Sequence, residues 1–233
     1  MKDEKKISGY QSSFVGMGFF LSKPKLWLIP LLSAFLAWLL LFFVFIIVAY
    51  QLWPHHESAH LKYTLKAFQA LGIGAIAALV LWVFFIPFFL NLCFEQLLKK
   101  VYLAKGDVLA PLSFFSSISS SAYILFKTFG WRIFWIVLGG LMIIASAPLA
   151  LIIAQLGIAH IALLDGCDLS LSLKGIESKK KWALIKHYRL GILSGGCVAG
   201  LVSVLVMPTI LVWLFWIPAI YIGACLWVRQ WDV

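Results

Sequence analysis

The chain has 233 residues, of which 63% are hydrophobic and 12% charged, with a formal net charge of +10 and a mean hydropathy of +1.01. A water-soluble domain keeps about a quarter of its residues charged to wet its surface, so this composition excludes a conventional soluble fold. The lysines and arginines sit in short segments beside apolar runs, a distribution that reads as membrane orientation and not as nucleic-acid binding.

In chain order, Phe14, Met17 and Leu21 suggest a short amphipathic helix. Lys23 and Lys25 flank Pro24 in the turn that follows. Leu26 to Trp53 is then 28 residues without a charge. A helix rises about 1.5 Å per residue, so about 20 apolar residues cross a ~30 Å hydrocarbon layer. This run exceeds the ~7–15 residues of a signal-peptide core and lacks a small-residue cleavage site, so it is expected to remain as a span. Beyond it, His55, His56 and His60 lie beside Glu57. The plain reading is a solvated exterior loop; the sharper one is metal or pH sensing.

A second uncharged run, Ala70 to Phe94, carries the small-residue series Ala70, Gly74 and Ala78, with Asn91 almost alone as a polar group. From Leu112 to Phe129, the residues Phe115, Ile118, Ala122, Leu125 and Phe129 share one helical face. Ser113, Ser116, Ser117, Ser120 and Lys127 take much of the other. That pattern predicts a helix lying in the membrane interface, its serines forming a wet face and not an anion cradle.

Ile133 to Leu164 contains no ionisable group except His160, and Pro148 lies near its centre. Proline lacks an N–H and breaks helical pairing, as at a hairpin apex. Arms of about 15 residues would reach only ~22 Å, short of the far surface. His160 and Asp165 read most simply as interfacial anchors, with a proton relay the sharper alternative. The last run, Leu190 to Val228, contains Pro208 and Pro218 and turns back likewise, leaving Arg229 on the side where it began. Gly191 with Gly195, and Gly196 with Gly200, are small-xxx-small pairs that let helices approach closely in lipid.

Basic residues before, between and after these runs number 5, 2, 5 and 6, which places the N-terminus, the middle segment and the late basic loop in the cytoplasm. The expected fold is an all-α integral membrane protein with one polytopic domain over residues 1–233. It has two long spans, about 26–53 and 70–94, and two helical hairpins, about 133–164 and 190–228. One or both hairpins are expected to be re-entrant, and interfacial amphipathic helices complete the fold. Tryptophans at segment ends, such as Trp27, Trp53, Trp131, Trp227 and Trp231, fit an aromatic belt. Cys93, Cys167, Cys197 and Cys225 have no metal or disulfide spacing and read as small apolar residues. No catalytic constellation, phosphate loop, metal site or cofactor motif stands out, so no enzyme and no cofactor are expected.

Three stretches in order carry a family resemblance. Gly18-Phe19-Phe20-Leu21-Ser22-Lys23-Pro24-Lys25-Leu26-Trp27 runs into Ile29-Pro30-Leu31-Leu32. Ile86-Pro87-Phe88-Phe89 is followed by Glu95. Leu164-Asp165 precedes a basic stretch, a Gly-rich span and the Pro218 to Leu226 ending. Over about residues 9–229 this order resembles the CysZ-like sulfate permease family, which includes the etoposide-induced membrane proteins. The resemblance implies two long spans with two hemi-penetrating hairpins. For the bacterial branch it implies a place in the cell inner membrane and sulfate uptake for cysteine synthesis. Those permeases carry a Gly-Leu-Arg sulfate-binding element before the first span, where this chain has Pro24-Lys25-Leu26-Trp27.

Two functions follow as expectations. One is a transporter or channel for a small anion, sulfate-like, with Lys23 and Lys25 as the anion-binding candidates at a cytoplasmic mouth. The other is a non-transporting scaffold or bilayer-shaping protein of the same fold. The partners implied are the lipid bilayer and a small oxyanion, not nucleic acid, and the sequence leaves room for a homo-oligomer.

Overall fold

In a computed structural model, residues 6–54, 60–84, 86–109, 114–206 and 212–231 are described, and among them no residue lies in a β-strand. The helices are α1 (Gly9–Leu21), α2 (Leu28–Gln51), α3 (His60–Phe84), α4 (Ile86–Ala104), α5 (Phe114–Ala145), α6 (Ala147–Leu173), α7 (Ser178–His187), α8 (Arg189–Val206) and α9 (Ile217–Val228). A 3-10 turn, Pro24–Leu26, precedes α2, and a π turn, Val212–Trp216, precedes α9.

Among the described residues, three stretches are long and apolar enough to cross a bilayer: Pro24–Gln51, Ala122–Ala145 and Ala147–Leu173. α7 and α8 meet at 70° and make a fourth if the bent pair is counted as one span. Large apolar side chains stay uncovered along these helices, with Phe35, Trp38 and Phe42 on α2 and Phe126 and Ile144 on α5 all at least 60% exposed. A water-soluble monomer does not tolerate such continuous apolar faces, whereas lipid accommodates them. The chain therefore reads as a helical membrane protein.

The chain divides into two compact units, residues 31–93 and residues 1–30 with 94–233. In the first, α2 and α3 run antiparallel. Ala37 and Leu41 pack with Ala78 and Leu81, and a Cβ placed on Gly74 would stand 3.1 Å from the Phe45 carbonyl oxygen. Trp53 Nε1 donates to the Tyr63 hydroxyl at 3.0 Å, joining the chain just after α2 to α3. The small-residue series of the second apolar run is thus a packing stripe. Most side chains of the expected span 70–94 beyond Ala78 fall outside the described residues.

The larger unit holds the first hairpin, and in that unit α8 and α9 each pack on α1 and α6 more than on each other. α5 and α6 are antiparallel arms whose break falls at Ser146, with Pro148 in the first turn of α6, as the proline predicts. α8 meets α9 where Gly191 lies against Trp227, and Trp216 Nε1 of the π turn before α9 donates to the Ala199 carbonyl at 2.9 Å. Pro208 lies outside the described residues. α8 uses its two glycine pairs for different partners. A Cβ on Gly195 would strike the Gly9 backbone of α1, and one on Gly196 or Gly200 would meet His160 or Leu156 of α6.

Two expectations need correction. The interfacial helix over Leu112 to Phe129 is not a separate element, because α5 continues without interruption from Phe114 to Ala145. Gly130 does not break it, since a single glycine weakens a helix by only about 1 kcal/mol. The hairpin arms are also longer than about 15 residues. Ala122–Ala145 has 24 and Ala147–Leu173 has 27, or roughly 36 and 40 Å of helix, enough for each to cross. Arm length therefore gives no reason for a re-entrant loop.

Candidate functional site

From Ala162 to Leu173 every residue of α6 is buried, so the acidic groups it carries must find partners inside the protein. Asp165 accepts a hydrogen bond from the Arg132 guanidinium of α5, and both side chains are largely withdrawn from solvent. The two residues lie within candidate spans on facing arms of one hairpin. Arg132 Nε also points toward Thr128 Oγ1, 3.5 Å away, and that hydroxyl donates back to the Ile124 carbonyl at 2.9 Å.

Further along the hairpin, toward its apex, His160 of α6 lies against Trp131 and Trp135 of α5. It stacks on Trp131 at 5.8 Å between ring centroids and lies 6.0 Å from Trp135. Two glycines admit these rings: a Cβ on Gly157 would come 2.9 Å from the Trp135 Cβ, and one on Gly196 2.9 Å from the His160 Cβ. His160 Nδ1 and Trp135 Nε1 are both buried, and neither has a hydrogen-bond partner among the described residues. Buried polar atoms are ordinarily satisfied, so two orphans in one contact mark a place where a polar guest would gain hydrogen bonds.

Toward the C-terminal end of α6, Lys181 of α7 reaches Asp168 Oδ1 at 2.8 Å and donates to Ser172 Oγ at 2.6 Å. The Tyr102 hydroxyl of α4 donates to the Ser170 carbonyl at 3.3 Å, and burial pushes that hydroxyl far above its ordinary pKa. It is therefore a permanent donor. Lys174 Nζ donates to the Val228 carbonyl at 3.0 Å, closing the end of α9. Burial draws the Lys174 ammonium below its ordinary pKa. Beyond α9, Arg229 grips Asp107 through two bonds, Nε to Oδ2 at 2.5 Å and a terminal nitrogen to Oδ1 at 3.1 Å. These contacts gather the ends of α4, α6, α7 and α9.

No protein-family model, curated protein or solved structure matches this chain.

Of the residues singled out from sequence, Lys23 and Lys25 are exposed on the 3-10 turn between α1 and α2. Neither forms an ion pair with a described residue, and no contact joins them to Arg132. His55, His56 and Glu57, the Ser113 side chain and those of the serines at 116–121 lie outside the described residues. His160 and Asp165 both lie on α6 of the first hairpin as buried groups. By sequence Arg132 and Lys181 stand only among the counted basic residues outside the apolar runs, and Asp168 is not singled out. The available signal was helical spacing: Asp165 and Asp168 are one turn apart on a helix with no other carboxylate.

Proposed function

We propose that this protein is a transporter or channel for a small oxyanion, sulfate being the first candidate, and that Arg132 meets the anion inside the bilayer. The observation that carries this reading is an arginine within one candidate span, held by an aspartate within the next. Ionisable groups are costly in lipid and mark functional positions when they occur there with a named partner. The guanidinium presents a planar fork that suits sulfate, which the lysines before the first span lack. Asp165 holds that fork in place until an oxyanion displaces it, and the orphaned His160 and Trp135 nitrogens offer further hydrogen bonds along the same hairpin. The resemblance to the CysZ-like permeases supports the same substrate class.

The test is flux of radiolabelled sulfate into proteoliposomes. Arg132→Lys keeps the charge and loses the fork, so flux per folded molecule is expected to fall about tenfold. Unchanged flux would remove Arg132 from the path. No flux above that of protein-free liposomes would remove transport itself.

A second reading is favoured by one specific observation: Arg132, Lys181 and Arg229 are each already matched by a carboxylate. Such pairing also suits a non-transporting scaffold that uses ion pairs only to fix its helices. Absence of flux with a stable, monodisperse protein would select it.

A further inference from the structure

α7 turns one face to the rest of the larger unit. Lys181 and Ile185, four residues apart, are buried, and Lys181 reaches Asp168 and Ser172 of α6. At 3.6 residues per turn the opposite face carries Lys179, Lys180, Ala183, Lys186 and His187, all of them exposed. Among the described residues, Lys179, Lys180 and Lys186 have no ion-pair partner. The one acidic residue of the sequence between Asp168 and Trp231 is Glu177, at the N-cap of the helix. The Lys186 ammonium stands 5.4 Å from the centroid of the Trp182 ring. α7 meets α8 at 70°, and Leu190, the second residue of α8, is 73% exposed. Lipid-facing surface therefore begins about one turn beyond Lys186. α7 itself stays out of the hydrocarbon, because lysines at the bilayer centre are strongly unfavourable.

We propose that the strip formed by Lys179, Lys180 and Lys186 binds the headgroups of anionic phospholipids in the adjoining leaflet. Charge complementarity calls for an anion. The strip holds no large apolar side chain that could insert between acyl chains, so it acts at headgroup level. Trp182, under Lys186, suits the same level, where indole rings collect. The late basic segment is expected on the cytoplasmic side, whose leaflet has a negative surface potential that draws lysines and arginines next to a span. Each such residue is worth roughly fivefold in affinity. The inference does not rest on transport, since the strip lies on the side of α7 turned away from α6 and from the Asp165 that α6 carries.

The experiment measures binding of phosphatidylglycerol and phosphatidylcholine of identical chains to the full chain in nonionic detergent by native mass spectrometry. Phosphatidylglycerol is expected to bind about tenfold more tightly. The double variant Lys179→Gln, Lys180→Gln is expected to lose most of that preference. The double variant Lys62→Gln, Lys100→Gln removes the same charge elsewhere and is expected to keep it. All four positions are exposed, and an unchanged melting temperature verifies that each variant is folded. Equal affinity of the unaltered protein for the two lipids overturns the proposal and leaves the strip to an acidic protein partner. A preference that survives the loss of Lys179 and Lys180 also overturns it. Equal loss in the two double variants assigns the preference to overall charge and overturns it too.

Discussion

Lys181 is wholly withdrawn from solvent and reaches Asp168 at 2.8 Å, so a charge from the basic loop is buried against the most enclosed part of α6. Taking one partner from such a pair leaves the other charge without compensation, a loss of about 3–5 kcal/mol. Asp168→Ala is therefore expected to lower the melting temperature in detergent sharply. Adding Lys181→Met should restore part of it, because the methionine fills a similar volume without a charge. A double variant no more stable than the single one would mean that the pair does not hold α7.

The Arg132–Asp165 pair separates folding from function. Asp165→Asn keeps the shape and an acceptor, but weakens the hold on the guanidinium. We expect a loss of stability, about 3 kcal/mol or more, together with altered sulfate dependence of flux. Arg132→Lys is expected to cost less stability and more flux. Thermal unfolding and proteoliposome flux on the same preparations check both, and parallel losses in the two variants would argue that the pair is structural alone.

Lys23 and Lys25 are exposed and can still act at a distance. An ammonium at a hydrated membrane edge raises local anion concentration without fixed geometry, an effect that salt screens. Replacing both with Gln is expected to reduce flux at low sulfate more than at saturation. Equal flux per correctly oriented molecule would assign them to orientation alone.

For topology, a cysteine at Ser58 is expected to be labelled from outside, and cysteines at Gly106 and Ser178 are not. With both arms of the first hairpin long enough to cross, the parity is the same as for a re-entrant loop. Exterior labelling at Ser178 would reject the hairpin in either form.

The close contact of α1 with α9 supplies a further test. A Cβ on Gly16 would run into the Ala219 carbonyl, and one on Gly223 into the Ser12 carbonyl. Gly16→Leu has no flexible neighbour to displace, so α1 is expected to lift away. In a chain freed of its own cysteines, Ser13→Cys is buried and should resist aqueous maleimide. The same cysteine should react once Gly16→Leu is added.

Much of the helical layout was legible because lipid imposes a length and a polarity on each run. The apolar stretches, the apex at Pro148 and the glycine pairs of α8 are local signals, and the geometry repeats them. The expected helix over Leu112 to Phe129 merges with the following span because the change from amphipathic to apolar pattern near Ile133 is a change of side chains and not a break in the chain. Helical backbone does not register that change: α5 passes through it unaltered. The charged contacts were invisible for a different reason. Arg132 and Asp165 are 33 residues apart and Asp107 and Arg229 are 122 apart, and no periodicity links residues that meet only through folding. Lys181 stood in a run of three lysines, where nothing in the sequence marks which one turns inward.

The seating of α1 has a consequence for biosynthesis. Ile7 donates its backbone N–H to the Gln230 side chain across 223 residues, and the small-residue face of α1 rests on α8 and α9. Helix α1 thus docks on α9, and it must wait through synthesis of everything between them. Contacts of such separation form late, after the local hairpins. Until α8 and α9 are made, Gly9, Ser12, Ser13 and Gly16 have no cover. A chain truncated before α9 would keep its hairpin α5/α6 yet present an unseated N-terminal helix, the kind of exposed segment that quality-control proteases engage.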